Sequence, residues 1–483
     1  MSVTQAIFVY NRVMNKYDYE ATLPVNYKSA FKDADIRGLY GTEIDEVLAY
    51  RVAQAFVVEF SLTTVLVGRD MRVSSPSIHD AFVAGVLDTG ADVVDIGLVT
   101  TPMMYFVSGN LSLHGVMITA SHNPADYNGL KLVMPGAIPL TNKSGLKAIE
   151  HHVAKNILIK NKKTGRVKKQ NIYRDYDRYV RGKASLKLKN NLNVVVDAGN
   201  GMGTLLTSIL KKYSKLTTKE LFFKLDGTFP NRESNPTLHK NQKQISSIIK
   251  NGNFDFGVAF DGDADRVAFF DEKGRYINAA IIGSLLVRYF LILHPKATCI
   301  YTVLASNVYQ EVIKASGGKA LKARVGHAFI KEQMRASDAQ FGCEHSGHFY
   351  YKNTFYADSG IVTLLLVAKL FDEAKTQGLT FSQLLKPLMI YYQTEEILVS
   401  VKNKKETLLA VKKDAEEKSA PDITTFDGLT VDMGEFWYNV KDSVTEDALK
   451  FVVESTNKKI AVTERDNLLK FLNAHSGCGT NKI

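Results

Sequence analysis

The sequence predicts an α/β protein with mostly parallel sheets. Apolar runs of strand length alternate with helical patterns along most of the chain, and polar motifs follow directly on those runs. In such folds ligands gather at the carboxyl ends of strands, which is where each of these motifs falls. In order, a strand at 64–67 leads into Gly68-Arg-Asp70, and a helix near 79–87 precedes a strand at 93–97. A strand at 116–118 runs into Thr119-Ala-Ser-His-Asn-Pro124, and 194–197 opens Ala198-Gly-Asn-Gly-Met-Gly203. Phe256–Phe260 leads into Asp261-Gly-Asp-Ala-Asp-Arg266, and 298–303 precedes a helix near 308–315. From about Tyr392 the character changes to lysine-rich helical sequence at 402–418, then strands at 429–440 and 450–454, which reads as a smaller α+β domain. At 483 residues the chain exceeds one core. Domains of roughly 100 to 200 residues imply three or four.

A hydrophobic fraction of 45% and a charged fraction of 23% are those of an ordinary globular protein. The net charge of +11 favours anionic partners, phosphorylated small molecules among them. Seven basic residues cluster between Lys155 and Lys169, without interleaved aromatics for base stacking. They read as a solvated hairpin or linker, and no nucleic-acid partner is expected. Cys299, Cys343 and Cys478 are odd in number and lack metal-ligand spacing, which predicts a reducing cytoplasm without a disulfide framework. No cleavable apolar segment is expected at the N-terminus. The longest apolar stretch, Ala279–Leu293, is interrupted by Arg288 and falls short of the roughly 20 residues a bilayer requires, so it reads as a core helix and no membrane association is expected.

Three loops carry chemistry. Between the strand at 116–118 and Pro124, which continues neither ladder nor helix, Ser121, His122 and Asn123 are expected on a stiff exposed turn, as a nucleophile is mounted. Asp261, Asp263 and Asp265 have period-2 spacing and can aim three carboxylates at one hard cation, magnesium if a phosphate lies opposite. A calcium EF-hand fails because Arg266 replaces the glycine of its sixth position and the flanks are strand-like. In Glu344-His-Ser-Gly-His348, a carboxylate and a hydroxyl bracketing Gly347 suit the vicinal hydroxyls of a sugar, and His348 could move protons near neutral pH. Gly199-Asn-Gly-Met-Gly203 offers a rival dinucleotide site, but Thr204 stands where the third fingerprint glycine belongs.

Together these motifs resemble the α-D-phosphohexomutase superfamily, most closely its phosphomannomutase/phosphoglucomutase branch. Phe31-Lys-Asp-Ala-Asp-Ile-Arg-Gly38 is similar to the family's opening motif, 119–124 to its phosphoserine loop, 261–266 to its magnesium loop and 344–348 to its sugar-binding loop. Val67-Gly-Arg-Asp70, Asp126-Tyr-Asn-Gly-Leu-Lys131, Gly326-His327, Phe355-Tyr-Ala-Asp-Ser-Gly360 and Tyr391-Tyr-Gln-Thr-Glu-Glu-Ile397 are further matches. The resemblance implies four domains around a central cleft: three related α/β domains at 1–169, 170–272 and 273–388, and an α+β domain at 389–483. It implies a phosphoserine at Ser121, and Mg2+ held by Asp261, Asp263, Asp265 and that serine. Arg37 and Lys131 would neutralise the transferring phosphoryl group, supported by Arg266. Glu344 and Ser346 would take sugar hydroxyls. His348 is the first choice for general acid/base, with Lys131 and His327 behind it, and His122 would orient the serine loop. The implied reaction interconverts mannose 1-phosphate and mannose 6-phosphate through a hexose 1,6-bisphosphate, which also serves as activator, in a monomer or homodimer. Glucose or glucosamine phosphates, or a non-catalytic phosphosugar-binding role, are the alternatives. Where the family's phosphate-gripping loop reads Arg-Pro-Ser-Asn-Thr-Glu-Pro, this chain has Lys441-Asp-Ser-Val-Thr-Glu-Asp447, keeping Ser443 and Thr445 but exchanging arginine for Lys441, which lacks the bidentate fork. Leu304 and Asn307 in the third domain and Ala34 in the opening motif are further departures.

Overall fold

The computed structural model describes residues 18–156, 158–443 and 448–476, which fall into two compact units, Met1–Ile277 with Ser346–Ser382, and Asn278–His345 with Gln383–Ile483. The first unit holds two sheets. One is built from β1 (Ile36–Leu39), β2 (Thr64–Arg69), β3 (Asp92–Leu98), β4 (Gly115–Ile118), β5 (Tyr127–Met134), β6 (Ile138–Pro139) and β7 (Val167–Lys169). Its order is β1-β5-β4-β2-β3-β7, parallel from β4 to β7, with β5 antiparallel to both β4 and β1. Every residue of β4 is buried, as expected for a central strand covered on both faces. The basic segment read as a hairpin or linker ends as β7, paired with β3, because an open strand edge there accepts three more residues.

Helices begin where the sequence caps them. Asp45 accepts the Leu48 N–H ahead of Glu46–Phe60, and Thr100 accepts the Met103 N–H ahead of Thr101–Leu111, with Pro102 in its first turn. Helices Glu46–Phe60 and Ser75–Asp88 approach closely at Gly85, where a Cβ would lie 2.4 Å from the Tyr50 carbonyl oxygen and 2.9 Å from Ala53 Cβ. Phe56, Phe82, Val67 and Val116 fill the core beneath them.

The second sheet comprises β8 (Leu192–Asp197), β9 (Leu216–Leu221), β10 (Phe256–Phe260), β11 (Val267–Asp271) and β12 (Tyr276–Ile277), in the order β12-β11-β10-β8-β9. β9, β8 and β10 run parallel, and β11 returns antiparallel to β10. Helix Gly360–Thr376 is fastened to the entry of this sheet by Asp372, whose carboxylate accepts the N–H groups of Lys189 and Asn190.

In the second unit, Thr298–Thr302 pairs in parallel with Lys319–Ala323 and Phe341–Cys343, beside the buried helix Ala279–Leu293. An antiparallel sheet follows, in which Phe436–Asp442 lies between Leu429–Asp432 and Ala448–Ser455, and helices Lys404–Glu417 and Lys458–His475 complete the α+β layer. The strand expected at 429–440 is two strands, because Gly434 adopts φ +84° in the turn that reverses the chain.

The close approach at Gly85 generates a stability prediction. Gly85→Ala must separate the two helices, so the first unfolding transition in denaturant should lose about 1–3 kcal/mol despite alanine's better helix propensity. A shift in the stabilising direction would show that the helices can part without loss.

Candidate active site

β4 delivers Ser121, and the structure corrects the exposed turn: the residue is buried, 1% exposed. Its φ of 51° is left-handed, a conformation that costs a non-glycine residue on the order of 1–2 kcal/mol. Local bonds hold it, since the Ser121 N–H donates to Thr119 Oγ1 at 2.9 Å and the Asn123 N–H to the Ala120 carbonyl at 3.0 Å. The second sheet meets this loop through Gly262, where a Cβ would lie 2.5 Å from the Ser121 carbonyl oxygen. Only glycine permits that contact.

The β10–β11 turn carries Asp261, Asp263 and Asp265, all buried, with one oxygen of each within 4.8 Å of the others. Because the flanks are an antiparallel strand pair with Phe260 opposite Val267, an EF-hand is excluded. Ser121 Oγ lies 3.1 Å from Asp261 Oδ2. Burial, with Asp265 and Asp263 beside it, pushes Asp261 well above the usual carboxylate range. Burial opposes ionisation of Asp265 as well, but the charges of Lys131, His348 and Arg266 outweigh it and hold the group well below that range. At Asp263 burial and Asp265 are outweighed by Lys131 and a Thr101 hydroxyl bond, leaving its pKa lowered. Asp263 Oδ1 accepts no hydrogen bond among the described residues. The three clustered carboxylates, an unused buried oxygen on Asp263 and the hydroxyl of Ser121 make an all-oxygen set that fits a hard divalent cation.

Cations and imidazoles surround these groups. Lys131 Nζ donates to Asp263 at 2.8 Å and Asp265 at 2.9 Å, and although burial disfavours its charge, those carboxylates raise its pKa well above the ordinary value. A permanently charged ammonium neutralises charge and is a poor general base. Arg37 pairs with Asp35 and donates to Asn123 Oδ1 at 2.9 Å. Arg266 donates from Nε to His348 Nε2 at 3.2 Å. His348 Nδ1 lies 2.9 Å from Ser346 Oγ. His348 Nε2 also faces Asp265 at 3.3 Å and Asp358 at 3.9 Å. His122 Nδ1 is 3.5 Å from Ser121 Oγ, and burial followed by Arg266 and Arg37 lowers its pKa well below the ordinary value, so its imidazole is neutral.

One unit thus brings together Ser121, His122, Arg37, Lys131, the three aspartates, Arg266, Ser346 and His348. The remaining sequence-predicted residues lie in the other. Glu344 accepts the Gly326 N–H at 3.0 Å, which fixes the turn before His327 at the start of helix His327–Ala336. Lys441 is buried and donates to Asp427 Oδ2 at 2.8 Å, while Ser443 is buried with its N–H on the Ala448 carbonyl. Thr445 lies outside the described residues. The glycine loop at 199–203 holds no room for a dinucleotide: the Arg232 guanidinium would touch a Cβ at Gly199, and Phe260 one at Gly203. It supports the aspartate turn instead, the Met202 N–H donating to the Gly262 carbonyl at 2.8 Å. Sequence reasoning missed Thr101, which bonds Asp263, and gave no role to Asp358. Thr101 stands before a proline in an ordinary helix start, where nothing local marks it. Asp427 was likewise unmarked.

Similarity to known proteins runs along the same segments. Residues 28–159, 174–274 and 278–392 match the family profiles described as Phosphoglucomutase/phosphomannomutase, alpha/beta/alpha domains I, II and III. A protein named Phosphohexose mutases from Xanthomonas campestris pv. campestris (strain B100) is 34% identical over 428 residues, 88% of this chain and 95% of its own length. A protein named Phosphomannomutase from Escherichia coli (strain K12) is 34% identical over 438 residues, with 88% and 95% covered. The crystal structure of a phosphoglucomutase/phosphomannomutase family protein from Burkholderia thailandensis superposes with a TM-score of 0.83 at 28% identity, covering 94% of this chain and 99% of that one. Full-length similarity of this kind settles what the buried serine and its carboxylates already suggest: the protein belongs to the α-D-phosphohexomutase superfamily and is a phosphohexomutase, an isomerase of phosphorylated hexoses.

Proposed function

We propose that the protein is a phosphomannomutase that interconverts mannose 1-phosphate and mannose 6-phosphate, with glucose phosphates as secondary substrates. The observation that carries the reaction is Ser121 Oγ buried against Asp261 at 3.1 Å. The choice of mannose rests on relatives named phosphomannomutase and on the sequence of the loop from Glu344 to His348. A phosphoryl group on Ser121 passes to the free hydroxyl of the substrate: the Oγ–P bond breaks with its electron pair left on Oγ, which takes up a proton from solvent, the sugar O–P bond forms, and the hydroxyl proton goes to His348 as general base. Transfer of this kind needs positioning and charge neutralisation more than covalent help. Arg37 and Lys131 provide positive charge, Arg266 presents it beside His348, and neutral His122 orients the serine loop. Bound at Asp261, Asp263, Asp265 and Ser121, Mg2+ would offset charge developing on the phosphoryl oxygens. The hexose 1,6-bisphosphate so formed rephosphorylates Ser121 from its other end. Glu344 and Ser346 take sugar hydroxyls, with His327 nearby in sequence to Glu344's turn, and Lys441, Ser443 and Thr445 hold the non-reacting phosphate.

Side-by-side turnover with mannose, glucose and glucosamine 1-phosphates tests the reading. Mannose 1-phosphate should give the highest kcat/KM, intact mass should show phosphate on Ser121, and Ser121→Ala should abolish turnover. Full activity in Ser121→Ala would refute the mechanism.

Lys131→Met leaves buried carboxylates without their cation, which costs about 3–5 kcal/mol. Its melting temperature in chelator should fall accordingly, and added Mg2+ should raise it by more than it raises the parent's. Equal Mg2+ shifts in both proteins would place the cation elsewhere.

Lys441→Ala removes a charge-assisted bond to a group that does not react. KM should rise by about tenfold to a hundredfold with kcat retained. Asp427 tempers that lysine, so Asp427→Asn, which can still accept the Val325 N–H, should lower KM. Unchanged KM in both variants would move the distal phosphate away from Lys441.

A further inference from the structure

Arg72 belongs to none of the motifs to which chemistry has been assigned, yet it is among the largest fully buried side chains of the protein, 1% exposed. Its guanidinium faces main-chain carbonyls of one short loop. Nη2 donates to Ser121 O at 2.9 Å and Asn123 O at 2.7 Å, while Nη1 donates to Tyr127 O at 2.9 Å and to Pro124 O. Nε faces Asp70 Oδ2 at 3.2 Å, and Asp70 Oδ1 accepts both the Arg72 N–H and the Ser75 hydroxyl. The Phe229 ring sits 5.2 Å from the guanidinium carbon. Ser121 O is bound a second time, by the Ser234 hydroxyl at 2.8 Å.

This pattern has a directional consequence. Carbonyls of Ser121, Asn123, Pro124 and Tyr127 turned toward one buried cation tie down the loop, which keeps Ser121 in its left-handed backbone with Oγ on the side of Asp261. During turnover that oxygen alternates between hydroxyl and phosphate ester, a change of about two charges. A backbone anchored through its carbonyls does not have to follow that change. Guanidinium geometry suits the task, since its five N–H donors spread in a plane, whereas a lysine ammonium places three at one point.

We propose that Arg72, assisted by Ser234, is a positioning residue for phosphoryl transfer: it holds the carbonyls of Ser121, Asn123, Pro124 and Tyr127 and so fixes Ser121 Oγ in both its phosphorylated and free states. This rests on the phosphoserine mechanism proposed above. Arg72→Lys in the full-length chain should lower kcat by about a hundredfold, the loss that a displacement near 1 Å brings, with KM unchanged. The rate at which hexose 1,6-bisphosphate phosphorylates Ser121, followed by intact mass, should fall in parallel. Ser234→Ala, which removes one neutral hydrogen bond to the same carbonyl, should lower kcat by about fivefold without changing KM. Parent protein assayed alongside separates the two claims, because a parent without phosphate on Ser121 and without mutase activity defeats the mechanism itself. With an active parent, a folded Arg72→Lys variant of full kcat overturns the proposal, as does a loss confined to KM. If Arg72→Lys fails to fold, Ser234→Ala decides: a reduced kcat at constant KM supports the carbonyl anchor, and parental kinetics overturn it.

Discussion

Three carboxylates buried in one turn are the constraint around which the first unit is organised. Two unit charges 4 Å apart repel by about 4 kcal/mol even at an effective dielectric of 20, so Asp261, Asp263 and Asp265 demand compensation from every side. The first sheet answers with Lys131 from β5, and helix Thr101–Leu111 adds the Thr101 hydroxyl. Arg266 and His348 complete the shell. One oxygen of Asp263 and one of Asp265 stay without a hydrogen bond among the described residues, beside Asp261 and its Ser121 contact. That gap in the electrostatics is where the proposed mechanism puts its cation and its phosphoryl group.

The same shell assigns roles among residues that look alike in sequence. Lys131 and His348 were both candidates to carry a proton. Between two carboxylates Lys131 holds its proton more tightly than an ordinary lysine, whereas His348 faces Asp265, Arg266 and Ser346. His122, adjacent to the serine, is kept neutral by burial and by neighbouring guanidinium groups. Environment, as well as residue type, sets how tightly each of these groups holds its proton.

Much of this was legible in the sequence because it is local. A strand followed at once by Thr-Ala-Ser-His-Asn-Pro, or by aspartates at period 2, carries its geometry in a few consecutive residues, and the alternation of strands and helices follows from hydrophobic periodicity. Burial was not legible. Ser121 reads as an exposed turn because the glycine that covers it, Gly262, is 141 positions away. Thr101, Asp358, Asp427 and Arg72 act through partners distant in sequence, and nothing beside them marks the contact. The division of 429–440 into two strands was missed for a simpler reason: Gly434 was outweighed by the apolar residues flanking it.

Ser121 O is held at once by Arg72, from the segment after β2, and by Ser234, from the segment before β10, with Gly262 pressed against it. One carbonyl is thus a common fixture of two sheets that would otherwise count as independent folding modules. In a chimera assembled from two mutases, exchange of the first sheet alone would join a serine loop from one lineage to an aspartate turn shaped for another. Contacts at this carbonyl therefore favour exchanging the two sheets together over cutting at the seam that joins them.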